Sequence, residues 1–239
     1  LPGGWIGDRI LGQQKAIFYG GIIITLGHFI LAINFTSAFF FGLTFVILGT
    51  GLLKPNISAL VGELYEKKEE LKQSGFTLFY MAINIGSVLG FFICGYLGEK
   101  IGWHYGFSAA GFGMALGIIR YKYSLPILGN VGLKPNLQIT HSERRRDIRL
   151  IILSLVIICS ILLLGTLQII QFNPVPLANI LTLFISSIAI LYFFYIFVFG
   201  SLDTKEKKNI TMIIVLFISS AFFWAGFDQA GSSFSIFAK

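Results

Sequence analysis

Two ionisable side chains sit in stretches of this sequence where charge is costly. Lys54, in VILGTGLLKPNISALVGELY, has no charged residue within eight positions on either side. Asp228, in FFWAGFDQAGSS, interrupts another apolar stretch. A charge midway along a membrane helix costs about 2.5–3.5 kcal/mol on insertion scales, so it needs a counter-charge or a wet cavity. For Lys54 two readings stand. Either its helix ends near Gly51 and the ammonium snorkels to the interface, or the helix runs on to the charged cluster at Glu63. In the second case Lys54 lies roughly 14 Å inside and faces a cavity. Pro55 would kink such a helix and free a carbonyl, which membrane helices tolerate where neighbours or water satisfy it. Asp228 lies about 27 Å from Ile210, so it is either interfacial near the far face or lines a cavity. Trp224, one turn earlier, has the geometry of an interface-belt residue.

Other polar groups offer binding rather than catalysis. Tyr80 and Asn84, at i and i+4 in FTLFYMAINIGSVLGFF, share a helix face; they could hydrogen-bond across helices or to a polar ligand. His28 is expected to make a structural interhelical hydrogen bond. In GGWIGDRILG, Asp8 can pair with helix ends and Arg9 with acidic neighbours, making a conformational latch. No strand precedes these glycines, so they are not a nucleotide-binding loop. Cys94 and Cys159 match no metal or redox spacing and are expected to be buried free thiols.

The elements that must position these residues are helices in a membrane. The chain is 55% hydrophobic and 12% charged, about half the charge of a soluble domain. Apolar runs cover roughly residues 16–34, 38–62, 74–97, 103–119, 150–170, 177–200 and 210–237, long enough to span and without the short alternating pattern of barrel strands. The fold class is therefore all-α, a polytopic membrane helix bundle. With seven spans, loops 1–15, 63–73, 120–149 and 201–209 fall on one side and hold 15 of the 18 Lys and Arg residues. This asymmetry puts them in the cytoplasm and explains the net charge of +7 without a nucleic-acid partner. The run ERRRDIR, Glu143 to Arg149, is expected to lie against anionic lipid headgroups rather than to form a dedicated ligand site. Runs 150–170 and 177–200, without an ionisable group between Arg149 and Asp203, should be lipid-facing or structural rather than chemical. The chain starts at Leu1 with no signal peptide and stops inside an apolar run, so an internal fragment is expected.

PGGWIGDRILG resembles the loop after the second helix in the major facilitator superfamily. GTGLLKPNISALVGELY, FTLFYMAINIGSVLGFFICGYLGEKIGWHYGF and FWAGFDQAGSS together resemble the proton-dependent oligopeptide transporter family, POT or PTR. The resemblance implies a partial major facilitator fold running from the end of the second helix to the seventh. Residues 1–122 would belong to the amino-terminal six-helix bundle. Residues 123–209 would form a cytoplasmic linker and two additional helices, about 150–170 and 177–200, and residues 210–239 would begin the carboxy-terminal bundle. Helices 1–2 and 8–12 would lie outside this chain, in the remainder of the transporter.

The implied function is proton-coupled symport of di- and tripeptides by alternating access, in the cytoplasmic membrane of a bacterium, with protons as the coupling ion and no cofactor or metal. By resemblance, Lys54 pairs with first-helix acids or meets the peptide carboxylate; Tyr80 and Asn84 contact the peptide backbone; and Trp224 walls the pocket. Asp228 takes the place of the proton-exchanging seventh-helix carboxylate, usually Glu. His104 stands where Arg is frequent. The partners are small peptides and membrane lipids. The alternatives are another small solute, such as nitrate or an amino-acid derivative, and a structural membrane protein; the latter would not need Lys54 and Asp228 inside its spans. An enzyme would need clustered ionisable residues near the interface, and the sequence has none.

Overall fold

The structure is a computed structural model that describes residues 2–66, 69–137, 139–167, 169, 174–200 and 202–229. Lys67, Lys68 and the segment 230–239, with Gly231, Ser232, Ser233 and Lys239, lie outside the described residues. Helix α1 (Pro2–Ile6) leads into a π-helical turn, Gly7–Leu11, and then α2 (Gln13–Leu31) and α3 (Thr36–Leu64). Next, α4 (Glu69–Gly90) continues through a second π turn, Phe91–Gly95, into α5 (Tyr96–Lys100). Four long helices complete the order: α6 (Trp103–Leu128), α7 (His141–Thr166), α8 (Pro174–Phe199) and α9 (Thr204–Asp228). Among the described residues there is no strand, as the apolar patterning requires.

Among the described residues, six helices are long and apolar enough to cross a membrane: Gln13–Leu31, Thr36–Leu64, Glu69–Lys100, His141–Thr166, Ala178–Phe199 and Thr204–Asp228. Six of the seven expected runs fall on them. The remaining run, 103–119, lies in α6, whose 26 residues reach about 39 Å but include Arg120 and Lys122. The stretch read as a loop from 120 is shorter than expected. Helix α6 continues to Leu128, where Gly129 at φ 59° ends it, and α7 resumes at His141.

The chain divides into two compact units, residues 1–170 and 171–239. In the first, α2 is central. Its buried positions Ala16, Ile17, Gly20, Ile24, Gly27 and Leu31 follow the three-and-four spacing of one helix face. Gly20 and Gly27 let the α2 backbone lie against Gly49 and Gly42 of α3. A β-carbon on Gly20 would stand 2.9 Å from the Gly49 carbonyl oxygen, and one on Gly27 would stand 2.9 Å from that of Gly42. Helices without side chains at the contact approach closely in this way, and packing replaces the hydrophobic force that lipid removes.

The two ends of this unit are distinct. At one, residues 33–36 between α2 and α3 meet Trp103, His104 and Phe107 at the start of α6 around a cavity. At the other, the start of α2 is bonded to residues 129–132 beyond the far end of α6. Helix α6 therefore runs the length of the unit although it is less apolar than its neighbours.

In the second unit, Phe193 of α8 and Phe217 of α9 make an edge-to-face contact at 5.7 Å. Helix α9 starts in a capping box in which the Glu206 carboxylate accepts from the Asp203 backbone N–H. No described side chain of α8 is buried.

Candidate functional site

Helix α3 does not end near Gly51. It passes through Lys54 and Pro55 to Leu64, which sets Lys54 about 15 Å from the helix end. The Lys54 side chain is exposed and has no hydrogen bond or ion pair among the described residues. Its backbone oxygen accepts from Ser58 Oγ at 3.2 Å. Two positions on, about 200° around the helix, Asn56 points the opposite way and is 1% exposed. Its amide donates to the Gly3 carbonyl at 2.9 Å and the Leu52 carbonyl at 2.6 Å. Pro55 leaves the Gly51 carbonyl without its helical donor, and Gly3 lies against that carbonyl with no room for a β-carbon. Helix α1 is thus pinned to α3 on the face away from Lys54.

Tyr80 and Asn84 share an exposed face of α4. Tyr80 is 61% exposed, while the Asn84 amide donates to the Tyr80 carbonyl of its own helix at 3.0 Å. Neither bonds to Lys54. In the second unit, Trp224 and Asp228 lie one turn apart on α9 and are both exposed. The Trp224 indole stands edge-on to Phe227 at 5.3 Å.

The π turn carries Asp8 and Arg9. Arg9 Nε donates to Asp147 Oδ2 of α7 at 2.9 Å, and its guanidinium lies 5.7 Å from the Trp5 ring centre. The Asp8 side chain makes no bond among the described residues, but its backbone oxygen accepts from the Leu137 N–H at 3.0 Å. Asp147 is 1% exposed and also accepts from Arg146 Nε and Nη2 at 3.3 Å. Two guanidinium groups on one buried carboxylate supply the pairing that a charge out of water requires.

A second set of polar groups lies at the same end. Glu63 Oε1 accepts from Gln13 Nε2 and, at 2.8 Å, from Asn136 Nδ2. Gln14 Nε2 donates to the carbonyls of Gly129 at 3.0 Å and Val131 at 2.7 Å. The Tyr121 hydroxyl donates to the Gln14 carbonyl at 3.3 Å. Burial pushes that phenol up to about 12, so it keeps the proton it donates. Gly12, at φ 80°, brings α2 close under the loop, where a β-carbon would stand 2.6 Å from the Leu133 carbonyl oxygen. These bonds hold the ends of α1, α2, α3, α6 and α7 together, a mechanical rather than a catalytic arrangement.

Sequence reasoning missed Asp147, Gln13, Gln14, Glu63 and Asn56. The signal for Asp147 was an acid set among arginines; the buried amides gave none, because their partners are mostly backbone carbonyls far along the chain. Two expectations need correction. His28 Nδ1 is buried without a hydrogen-bond partner among the described residues, because α6 presents Gly111 beside it. Cys159 is exposed rather than buried, and Cys94 is intermediate, because α7 leaves that face uncovered. Among the described residues, no three His, Cys, Asp or Glu side chains gather as metal ligands would.

A sequence model of the POT family matches residues 14–239. The peptide transporter YePEPT of Yersinia enterocolitica subsp. palearctica is 36% identical over 247 residues, covering 100% of this chain and 48% of its own. A di-/tripeptide transporter of Lactococcus lactis subsp. cremoris is 35% identical over 245 residues, with coverage of 100% and 48%. A crystal structure of a peptide transporter POT variant in complex with alafosfalin superposes with a TM-score of 0.82 at 32% identity, covering 99% of this chain and 47% of that one. The chain spans about half the length of the curated relatives it matches.

Proposed function

The chain belongs to the POT family, and on that premise we propose that it works as part of a proton-coupled symporter of di- and tripeptides. The observation that carries this reading is Lys54: an ammonium within a continuous membrane helix, exposed and without a counter-charge among the described residues, in a chain whose whole length aligns with 48% of a di-/tripeptide transporter. Such a group is costly in lipid and suits a cavity where a peptide carboxylate supplies the missing charge. Tyr80 and Asn84 present a hydroxyl and an amide for a peptide backbone, and Trp224 forms an apolar wall. Asp8 and Arg9 belong to the latch at the end of the bundle.

Asp228 exchanges the coupling proton. Protonation removes its charge and with it any ion pair it makes in the whole protein, so proton entry and release of that pair are linked. One charge moving down the membrane potential supplies about 2.3 kcal/mol per 100 mV, which drives uptake against a peptide gradient. The proton is the coupling ion, and no further cofactor takes part. The end with the basic loops faces the cytoplasm of a bacterium. Residues 1–122 belong to the amino-terminal bundle, 123–209 to the linker and additional helices, and 210–239 to the start of the carboxy-terminal bundle.

The test is dipeptide uptake by the full-length protein in proteoliposomes with an imposed proton gradient. Lys54→Ala is expected to raise KM or abolish uptake. Asp228→Asn is expected to lose gradient-driven uptake while retaining peptide counterflow. Unchanged gradient-driven uptake in both variants overturns the assigned roles, and failure of the wild type to carry any small peptide overturns the substrate.

A further inference from the structure

Helix α7 carries two open recesses in register along one face, each lined by its own side chains. At its amino-terminal end His141, Ser142, Arg145, Arg146 and Arg149 line an open recess of about 520 Å3. Beyond it, an apolar groove of about 340 Å3 runs from Ile152 to Leu163 past the small side chains of Cys159 and Ser160. At 3.6 residues per turn all these positions fall within about half the helix circumference, and Asp147 points to the other half, into the unit.

The acids of this segment are already engaged. Asp147 is held by Arg9 and Arg146, and the Glu143 carboxylate accepts from the Thr140 N–H at 2.9 Å and hydroxyl at 2.8 Å. Arg145 and Arg149 have no hydrogen bond or ion pair among the described residues. The groove covers 11 residue steps, about 16 Å, and one leaflet of a hydrocarbon core of about 30 Å is about 15 Å deep.

We propose that this face of α7 holds one anionic phospholipid, its phosphate among Arg145, Arg146 and Arg149 and an acyl chain in the groove below. Charge complementarity selects the headgroup: basic side chains just outside an apolar span lie at the depth of the lipid phosphates. An apolar recess directly below the arginines, as long as one leaflet is deep, distinguishes a seated molecule from the diffuse attraction expected of ERRRDIR, because attraction to a charged surface needs no place for an acyl chain. Cys159, exposed on this face, is part of the groove lining.

Native mass spectrometry of the purified full-length protein tests this, with phosphatidylglycerol, phosphatidylcholine and inorganic phosphate as probes. Phosphatidylglycerol is expected to be retained in preference to phosphatidylcholine. The double variant Arg145→Gln, Arg149→Gln is expected to weaken its binding roughly 30-fold at low salt. Ser160→Phe, which fills the groove without changing charge, is expected to weaken it as well, while Lys207→Gln with Lys208→Gln leaves it unchanged. If the double arginine variant does not fold, Arg145→Gln alone and Ser160→Phe decide. Equal retention of both lipids, or an unaffected Ser160→Phe, overturns the proposal in favour of surface charge. Displacement of the lipid by millimolar phosphate indicates a free-anion site and overturns it too, as does a wild type that retains no phospholipid because another part of the protein covers the face.

Discussion

Asp147 and Arg9 are 138 positions apart, and the buried pair they form closes one end of the first unit. Removing one member of a buried ion pair strands the other, a loss of roughly 3–5 kcal/mol, whereas replacing both by apolar groups of similar size is often neutral. Asp147→Ala is therefore expected to lower the melting temperature of the detergent-purified protein, and Arg9→Met with Asp147→Leu to recover most of the loss, as read by tryptophan fluorescence. Equal loss in the single and double variants would show that the loss comes from the attraction within the pair rather than from a stranded charge. Lys54 stood out in the sequence because its oddity is local, a charge in an apolar neighbourhood. Asp147 did not, since an acid among arginines reads as an ordinary solvated surface until the fold turns it inward. Asn56 was hidden for a similar reason: its partners are the carbonyls of Gly3 and Leu52, and carbonyls carry no signature of residue type.

Helices were the most legible level, because a membrane-crossing run is set by length and apolarity, and these are properties of the sequence itself. Ends were less so. The termination of α6 at Leu128 rather than near Arg120 reflects a helix that continues beyond its apolar stretch, with the Arg120 guanidinium bonded to Ser124 one turn on. The pairing of α2 with α3 was not read from the sequence either, as glycines at positions 20, 27, 42 and 49 are visible but their facing partners are not. Gly49→Leu is expected to destabilise the protein by about 1–3 kcal/mol through overpacking, since a β-carbon there would stand 2.6 Å from the Gly20 carbonyl oxygen. Gly51→Leu, with nothing within 4 Å of its β-position, is expected to cost little. Thermal melts of both variants make the comparison, and equal melting temperatures would contradict the close approach.

For the molecule as a whole, the loops separate onto two ends of the first unit: residues 33–36 with 103–104 at one, residues 63, 129–137 and 147 at the other. Within the first unit, the basic loops 1–15, 63–73 and 120–149 are those that bond to one another. In a version with Cys94 and Cys159 replaced by Ser, Asn34→Cys is expected to react with an impermeant thiol reagent on intact cells. Lys134→Cys is expected to react only after permeabilisation, and labelling of both from outside would refute the assigned orientation. Helices α2 and α3 touch through backbone, whereas no described side chain of α8 is buried. A saturation substitution library would accordingly find α8 nearly degenerate, one apolar letter as good as another, and the glycines of α2 and α3 nearly invariant. The meaning of this sequence is unevenly written: α8 is longer than α2, yet α2 specifies far more of the fold.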